Sequence, residues 1–177
     1  MVLIRLLSVL LLMVSSIPGL WAQGSGIQLL PEEKLTKLLP ATVFLDGENP
    51  PTQGRNAFLA QMANGKLLEF AMIDTTGYSA AYQEKYIGVF LAQSAFRLGT
   101  ANLPPGAYGF GRKKSAAGGK DAVTFFLYDL GGNQVAEVPA EKTENLRPLK
   151  VVQLIVAKDG SGRFYLGPYY ASVSVAP

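Results

Sequence analysis

The sequence predicts an all-β protein: an antiparallel β-sandwich or a small closed β-barrel with one short N-terminal helix. Three observations lead there. Short segments rich in Val, Phe and Tyr recur along most of the 177 residues. Turn signals built on Gly and Pro separate them at the spacing of a sandwich or barrel. A single stretch near the amino terminus carries helical periodicity.

Residues 1–22 are set apart first. Arg5 supplies one positive charge, and an apolar run from Leu6 to Val14 is interrupted only by Ser8. Ser15, Ser16, Pro18 and Gly19 break the run, and Ala22 offers a small residue for cleavage. This is the layout of a secretory signal peptide, too short to span a bilayer comfortably. The expected address is therefore periplasmic or extracellular. No Cys is present, which excludes a lipid-modified cysteine and disulfide staples alike. A domain of about 150 residues buries roughly 68–70% of its unfolded surface and needs neither.

Residues 23–40 read as a loose tail followed by a short amphipathic helix. Pro31 suits a first helical turn, and Glu32 and Glu33 follow where negative charge is favoured. Leu35, Leu38 and Leu39 fall on one face, and Pro40 ends the segment. Residues 41–177 read as one β domain. Ala57–Ala63 and Lys66–Ile73 flank Asn64-Gly65, the strongest short hairpin signal. A two-residue turn there would set Met62 opposite Leu67 and Phe58 opposite Ala71. Leu59, Leu68, Phe70 and Met72 would then share the other face. Apolar groups on both faces point to a sheet covered on both sides or to a filled barrel that also packs outward.

Further strands follow in order. Tyr86 to Arg97 is a long extended run. Leu103-Pro104-Pro105-Gly106 turns the chain into Ala107–Phe110. Asp121–Leu130 turns at Gly131-Gly132-Asn133 into Gln134–Val138. Leu149–Ala157, Arg163–Leu166 and Tyr169–Val175 complete the set, separated by Asp159–Gly162 and Gly167-Pro168. Tyr169 and Tyr170 are adjacent and should point to opposite faces.

Several phrases carry a resemblance. Asp74-Thr75-Thr76-Gly77-Tyr78-Ser79, Lys85-Tyr86-Ile87-Gly88, Leu103 to Phe110, Asp129 to Asn133 and Arg147-Pro148-Leu149 resemble those of a family of uncharacterised exported bacterial β proteins with no assigned activity. The resemblance runs from Leu39 to Tyr170. It implies export and a compact β fold, and it implies no activity.

Composition narrows the chemistry. With His 0 and Cys 0, neither a Ser-His-Asp nor a Cys-His nucleophile can be assembled, and zinc loses its usual ligands. No metal or cofactor is expected. The formal charge is +3, without a dense basic stripe, so nucleic acid is not expected as a partner. Beyond the signal no stretch reads as a membrane helix. An outer-membrane barrel fits poorly, because charges such as Glu69 and Arg97 interrupt candidate strands and no terminal aromatic residue is present. A hydrolase would need two carboxylates in one cleft, drawn from Asp46, Glu48, Glu69, Asp74 and Glu84. Glu69, mid-strand, reads as outward-facing and solvated. Arg112-Lys113-Lys114 reads as a solvated hairpin tip, and Asp129–Asn133 as a turn rather than a calcium loop.

The aromatic residues remain. Tyr joins an apolar ring to a polar tip, which suits a binding face. Tyr78, Tyr86 and Tyr108 are the candidate ligand-binding residues, with Asp74 on a polar rim and Arg147 as a cation. The expected role is that of a non-catalytic exported protein binding a small apolar ligand or an envelope partner protein. A structural protein of the cell envelope and a carboxylate-based hydrolase are the alternatives.

Overall fold

The computed structural model describes residues 26–114, 122–145, 148 and 150–176. Residues 1–22, which the sequence reads as a signal peptide, and Arg147 lie outside the described residues. The chain forms β1 (Gln28–Leu29), α1 (Glu32–Leu38), β2 (Thr52–Gln61), β3 (Leu67–Ile73), α2 (Ala80–Lys85), β4 (Gly88–Ala92), β5 (Phe96–Leu98) and β6 (Ala101–Leu103). It continues with β7 (Gly106–Lys114), β8 (Val123–Tyr128), β9 (Gln134–Lys142), β10 (Val152–Val156), β11 (Gly162–Leu166) and β12 (Tyr169–Val175). All pairings among these strands are antiparallel, and the predicted all-β class holds. Two short helices are present where the sequence predicts one.

The strands run β1-β2-β3-β4-β7-β8-β9-β12-β11-β10 and curl into a nearly closed barrel. β12 pairs with β11 along one edge. Its other edge meets β9 through Tyr169 and Tyr170, then β5 through Val173–Val175. The β5–β6 hairpin thus fills the corner where β9 and β12 diverge. The two ends of the path, β1 with β2 on one side and β10 on the other, meet at a seam without a ladder between them. At one end of it the Ile27 amide donates to the Gly160 carbonyl at 3.0 Å. At the other, Gly54, Arg55 and Asn56 leave the β2–β3 ladder as a bulge, and bulges of this kind bend a strand and end its pairing. α1 lies beside the seam, burying Leu35 against it. Leu38, expected on the same buried face, is 52% exposed, because a helix of seven residues presents a single turn to the sheet.

The first hairpin corrects the predicted register by one residue. Gln61 pairs with Leu67, Ala60 with Leu68 and Phe58 with Phe70. The loop runs from Met62 to Lys66: the Gly65 amide donates to the Met62 carbonyl, and the Met62 amide to the Lys66 carbonyl, both at 2.8 Å. Gly65 takes φ +77°, and the Asn64 side chain accepts from the Lys66 amide. The pair therefore closes a three-residue loop with a left-handed glycine. Since a one-residue slip exchanges the faces of a strand, Phe58 and Phe70 both turn inward.

Phenylalanines fill the barrel. Phe70 lies 4.8 Å from Phe90, 5.5 Å from Phe110 and 4.8 Å from Phe164, ring centre to ring centre. Phe110 adds Phe125 at 5.1 Å, and Phe90 adds Phe96 at 5.7 Å. Tilted and edge-on pairs of this kind add to the gain from burial. The long run from Tyr86 to Arg97 is broken rather than continuous. Gln93 exchanges hydrogen bonds with Leu67, and Ser94 accepts from the Asn64 side chain, so β4 stops at the first hairpin turn. The chain then crosses to pair with β12.

A second cluster covers the outer face of β3, β4, β7 and β8. Val43, Leu45, Ile73, Tyr82, Tyr86, Val89 and Tyr128 form it. α2 starts at Ser79, whose hydroxyl accepts from the Tyr82 amide, a standard N-cap bond. The close seat of its C-terminal end depends on glycine. A Cβ on Gly111 would stand 2.0 Å from the Lys85 carbonyl oxygen, and one on Gly109 would stand 2.7 Å from the Tyr86 ring.

Candidate functional site

One end of the barrel is open. On β3, β7 and β11 the inward positions run Phe70–Met72, Phe110–Arg112 and Phe164–Leu166, by the two-residue period of a strand. Phe70, Phe110 and Phe164 are fully buried and in mutual contact. One step outward stand Met72, Arg112 and Leu166. With Ile87, Lys150, Val151, Gly167 and Pro168 they surround a cleft of about 380 Å³. Its walls are apolar apart from Arg112 and Lys150, and no carboxylate lines it. The segment over one side is held in place: the Gly167 amide donates to the Val151 carbonyl and the Thr143 amide to the Pro168 carbonyl.

A polar cluster lies on the outer face. Lys85 Nζ is 2.8 Å from Asp46 Oδ2 and donates to the Gly132 carbonyl at 2.7 Å. The Tyr86 hydroxyl donates to the same Asp46 oxygen at 2.9 Å. Lys85 also stands 4.9 Å from the ring centres of both Tyr86 and Tyr128. Tyr78, Tyr82, Tyr86 and Tyr128 form a continuous ladder at centroid spacings of 5.0, 4.7 and 5.3 Å. Hydrogen bonds from Lys85 and Tyr86 hold the Asp46 carboxyl below its ordinary range. Burial, and then the Asp46 contact, push the Tyr86 hydroxyl far up, and burial does the same to Tyr82. Tyr82 and Tyr86 therefore stay protonated, and Lys85 and Asp46 satisfy each other. A groove of about 310 Å³ beside them brings Asp46 and Glu48 to one place. Asp46, though, is already committed to Lys85 and Tyr86. The cluster ties the segment around Asp46, α2 and the β8–β9 turn together.

The residues singled out from the sequence do not converge. Tyr86 is buried in the ladder, and Tyr78 stacks at its outer end. Tyr108 is buried at the far side of the sheet, its hydroxyl donating to the Pro104 carbonyl at 2.6 Å. Asp74 is exposed and caps its own turn by accepting from the Thr76 amide at 2.9 Å; hydrogen bonds from the Thr76 side chain and then its amide lower the carboxyl's pKa. None of these four lines the barrel mouth. Asp129 likewise accepts from Asn133 in a closed turn.

Two residues take places that the sequence reading assigned otherwise. Arg112, which the sequence places on a solvated hairpin tip, is exposed as expected, but it stands on β7 at the mouth, paired with Phe125. The signal was its spacing: Arg112 follows the inward Phe110 by two residues. Glu69 is buried rather than solvated, at 6% exposure, between Leu59 and Leu91. Its Oε1 finds no partner, and loss of water raises its pKa to about 7. The outer cluster, drawn from remote sequence, makes this face of the sheet an interior.

Among the described residues no three potential metal ligands come together, and no helix is long and apolar enough to cross a membrane. Fold and cleft together define a small antiparallel barrel with one open, apolar mouth. No protein-family model, curated protein or solved structure matches the chain.

Proposed function

We propose that the protein is an exported, non-catalytic binding module that holds a small apolar ligand in the mouth of its barrel. The observation that carries this is the cleft of about 380 Å³ above the packed phenylalanines, walled by Met72, Ile87, Val151, Leu166 and Pro168. Ligand sites are typically concave and mostly apolar, of about 300–1,000 Å³, and small barrels hold one ligand at the mouth. The absence of His and Cys supports a role without catalysis, as does the mutual engagement of Lys85, Asp46 and Tyr86. Export, to the periplasm or beyond the cell, rests on the charged, apolar and small-residue order of residues 1–22.

Native mass spectrometry of protein gently purified from its own compartment tests the reading. The expected result is a bound molecule of discrete mass, lost on Met72→Trp, which fills the cleft without entering the phenylalanine layer. Bare protein, together with no binding of an apolar fluorescent probe to either form, refutes the proposal.

A further inference from the structure

Resting on the mouth as a ligand site, we propose that its ligand is a single-chain amphiphile with one anionic head, held between Arg112 and Lys150. The mouth is apolar except for these two side chains, and both are cations. Among the described residues neither has a hydrogen bond, an ion pair or a ring contact. Several other cations of the molecule are engaged, and those that are not, such as Lys34, Lys37 and Lys66, do not line this cleft. Lys85 meets Asp46, Arg97 donates to Asn102, Lys113 lies over Phe126 and Arg163 over Tyr170.

The position of Arg112 sharpens the point. Along β7 the inward positions are Tyr108, Phe110 and then Arg112. The barrel thus places a guanidinium where its own pattern continues toward an apolar side chain. Two positive groups on the rim of one apolar recess repel each other when no counter-charge is present. A carboxylate or phosphate head between them removes that repulsion. The planar guanidinium suits such a head, because it can offer two parallel donors to its oxygens. The walls formed by Met72, Ile87, Leu166 and Pro168 then cover the chain of the ligand. A small inorganic anion would leave those walls wet, and a neutral chain would leave both cations uncompensated.

The test compares decanoate, decan-1-ol and decyltrimethylammonium, all below micelle formation, with inorganic phosphate as the head alone. Affinities are read by displacement of an apolar fluorescent probe at low and at moderate salt. Decanoate is expected to bind at least tenfold more tightly than decan-1-ol, with the advantage shrinking as salt rises. Decyltrimethylammonium should be the weakest of the three amphiphiles, and phosphate should displace nothing. The double variant R112Q/K150Q should lose the preference for decanoate while keeping its affinity for decan-1-ol.

Equal affinity for decanoate and decan-1-ol overturns the anionic-head inference and leaves the mouth as an apolar site. Failure of all three amphiphiles to bind, with Met72→Trp changing nothing, overturns the ligand site itself. Binding to phosphatidylglycerol vesicles that decanoate does not compete away assigns the two cations to a membrane surface and also overturns the inference.

Discussion

Replacing Glu69 by Gln should stabilise the protein above neutral pH and leave it nearly unchanged in mild acid. Glu69 is 6% exposed, and its Oε1 has no partner. Burial raises its pKa from 4.5 to about 7. That difference corresponds to about 3 kcal/mol between the ionised and protonated forms, at about 1.4 kcal/mol per pH unit. In the window between those values the native carboxyl keeps a proton that the unfolded chain has released. Its contribution is therefore fully present below the unfolded pKa, declines as pH rises through the window, and levels off above about pH 7. Gln has almost the same shape and never ionises. Urea unfolding at about pH 4.5, 6 and 8 reads the effect as a shift in midpoint at constant slope. The variant should be more stable by about 2–3 kcal/mol at the highest pH, with the two curves converging at the lowest. Parallel curves would refute the reasoning, since they would show that Glu69 ionises in the native protein as freely as in the unfolded one.

Two further substitutions probe the outer cluster. Gly111→Ala places a methyl group 2.0 Å from the Lys85 carbonyl oxygen, so it should cost about 3 kcal/mol or more and perturb the near-ultraviolet circular dichroism of the tyrosine ladder. A cost below about 0.5 kcal/mol, the level of an unconstrained surface site, would contradict the seat of α2. Asp46→Asn keeps a residue type that tolerates the φ of +54° at this position while removing the charge that Lys85 and Tyr86 hold. The ion pair is partly solvated, so the loss at neutral pH should be about 1 kcal/mol. Because the native pKa of Asp46 is depressed, this difference should fade as pH falls through the carboxylate range. Equal stability at every pH would mean that the pair contributes nothing.

The class of the fold is legible in the sequence because strand chemistry is local. The turns at Asn64-Gly65, Gly131–Asn133 and Asp159–Gly162, and the opposed faces of Tyr169 and Tyr170, all follow from neighbouring residues. Tyr169 packs toward the core and Tyr170 outward onto Tyr165. Register is less legible. The same Asn-Gly pair closes a loop of two or of three residues, and the choice decides whether Phe70 faces inward. α2 is hidden by its length, since six residues are too few to show a helical period. The burial of Glu69 is hidden for a different reason. It depends on Leu59 and Leu91, which flank it across the sheet, and Leu91 in turn packs against an outer layer from the segment around Val43 and Leu45, α2 and Tyr128, none of which is adjacent in sequence. The site follows the same rule. Tyr78, Tyr86 and Tyr108 attract attention as residue types, yet they serve the ladder and the sheet. The mouth is marked instead by where Arg112 falls in the alternation of its strand.

The placement of β12 governs how the molecule is finished. β12, the last of the described strands in chain order, lies inside the sheet, with β11 on one side and β9 and β5 on the other. Without residues 169–175, β11, β9 and β5 each keep an open edge, and the partner of β5 lies far along the chain. Adding the described strands in chain order therefore cannot close this barrel stepwise, because β12 must enter between edges already in place. Contacts this distant slow folding, and unfilled edges invite pairing with another unfinished chain. A polypeptide cut short before Val173 would therefore be a sticky fragment rather than a smaller barrel.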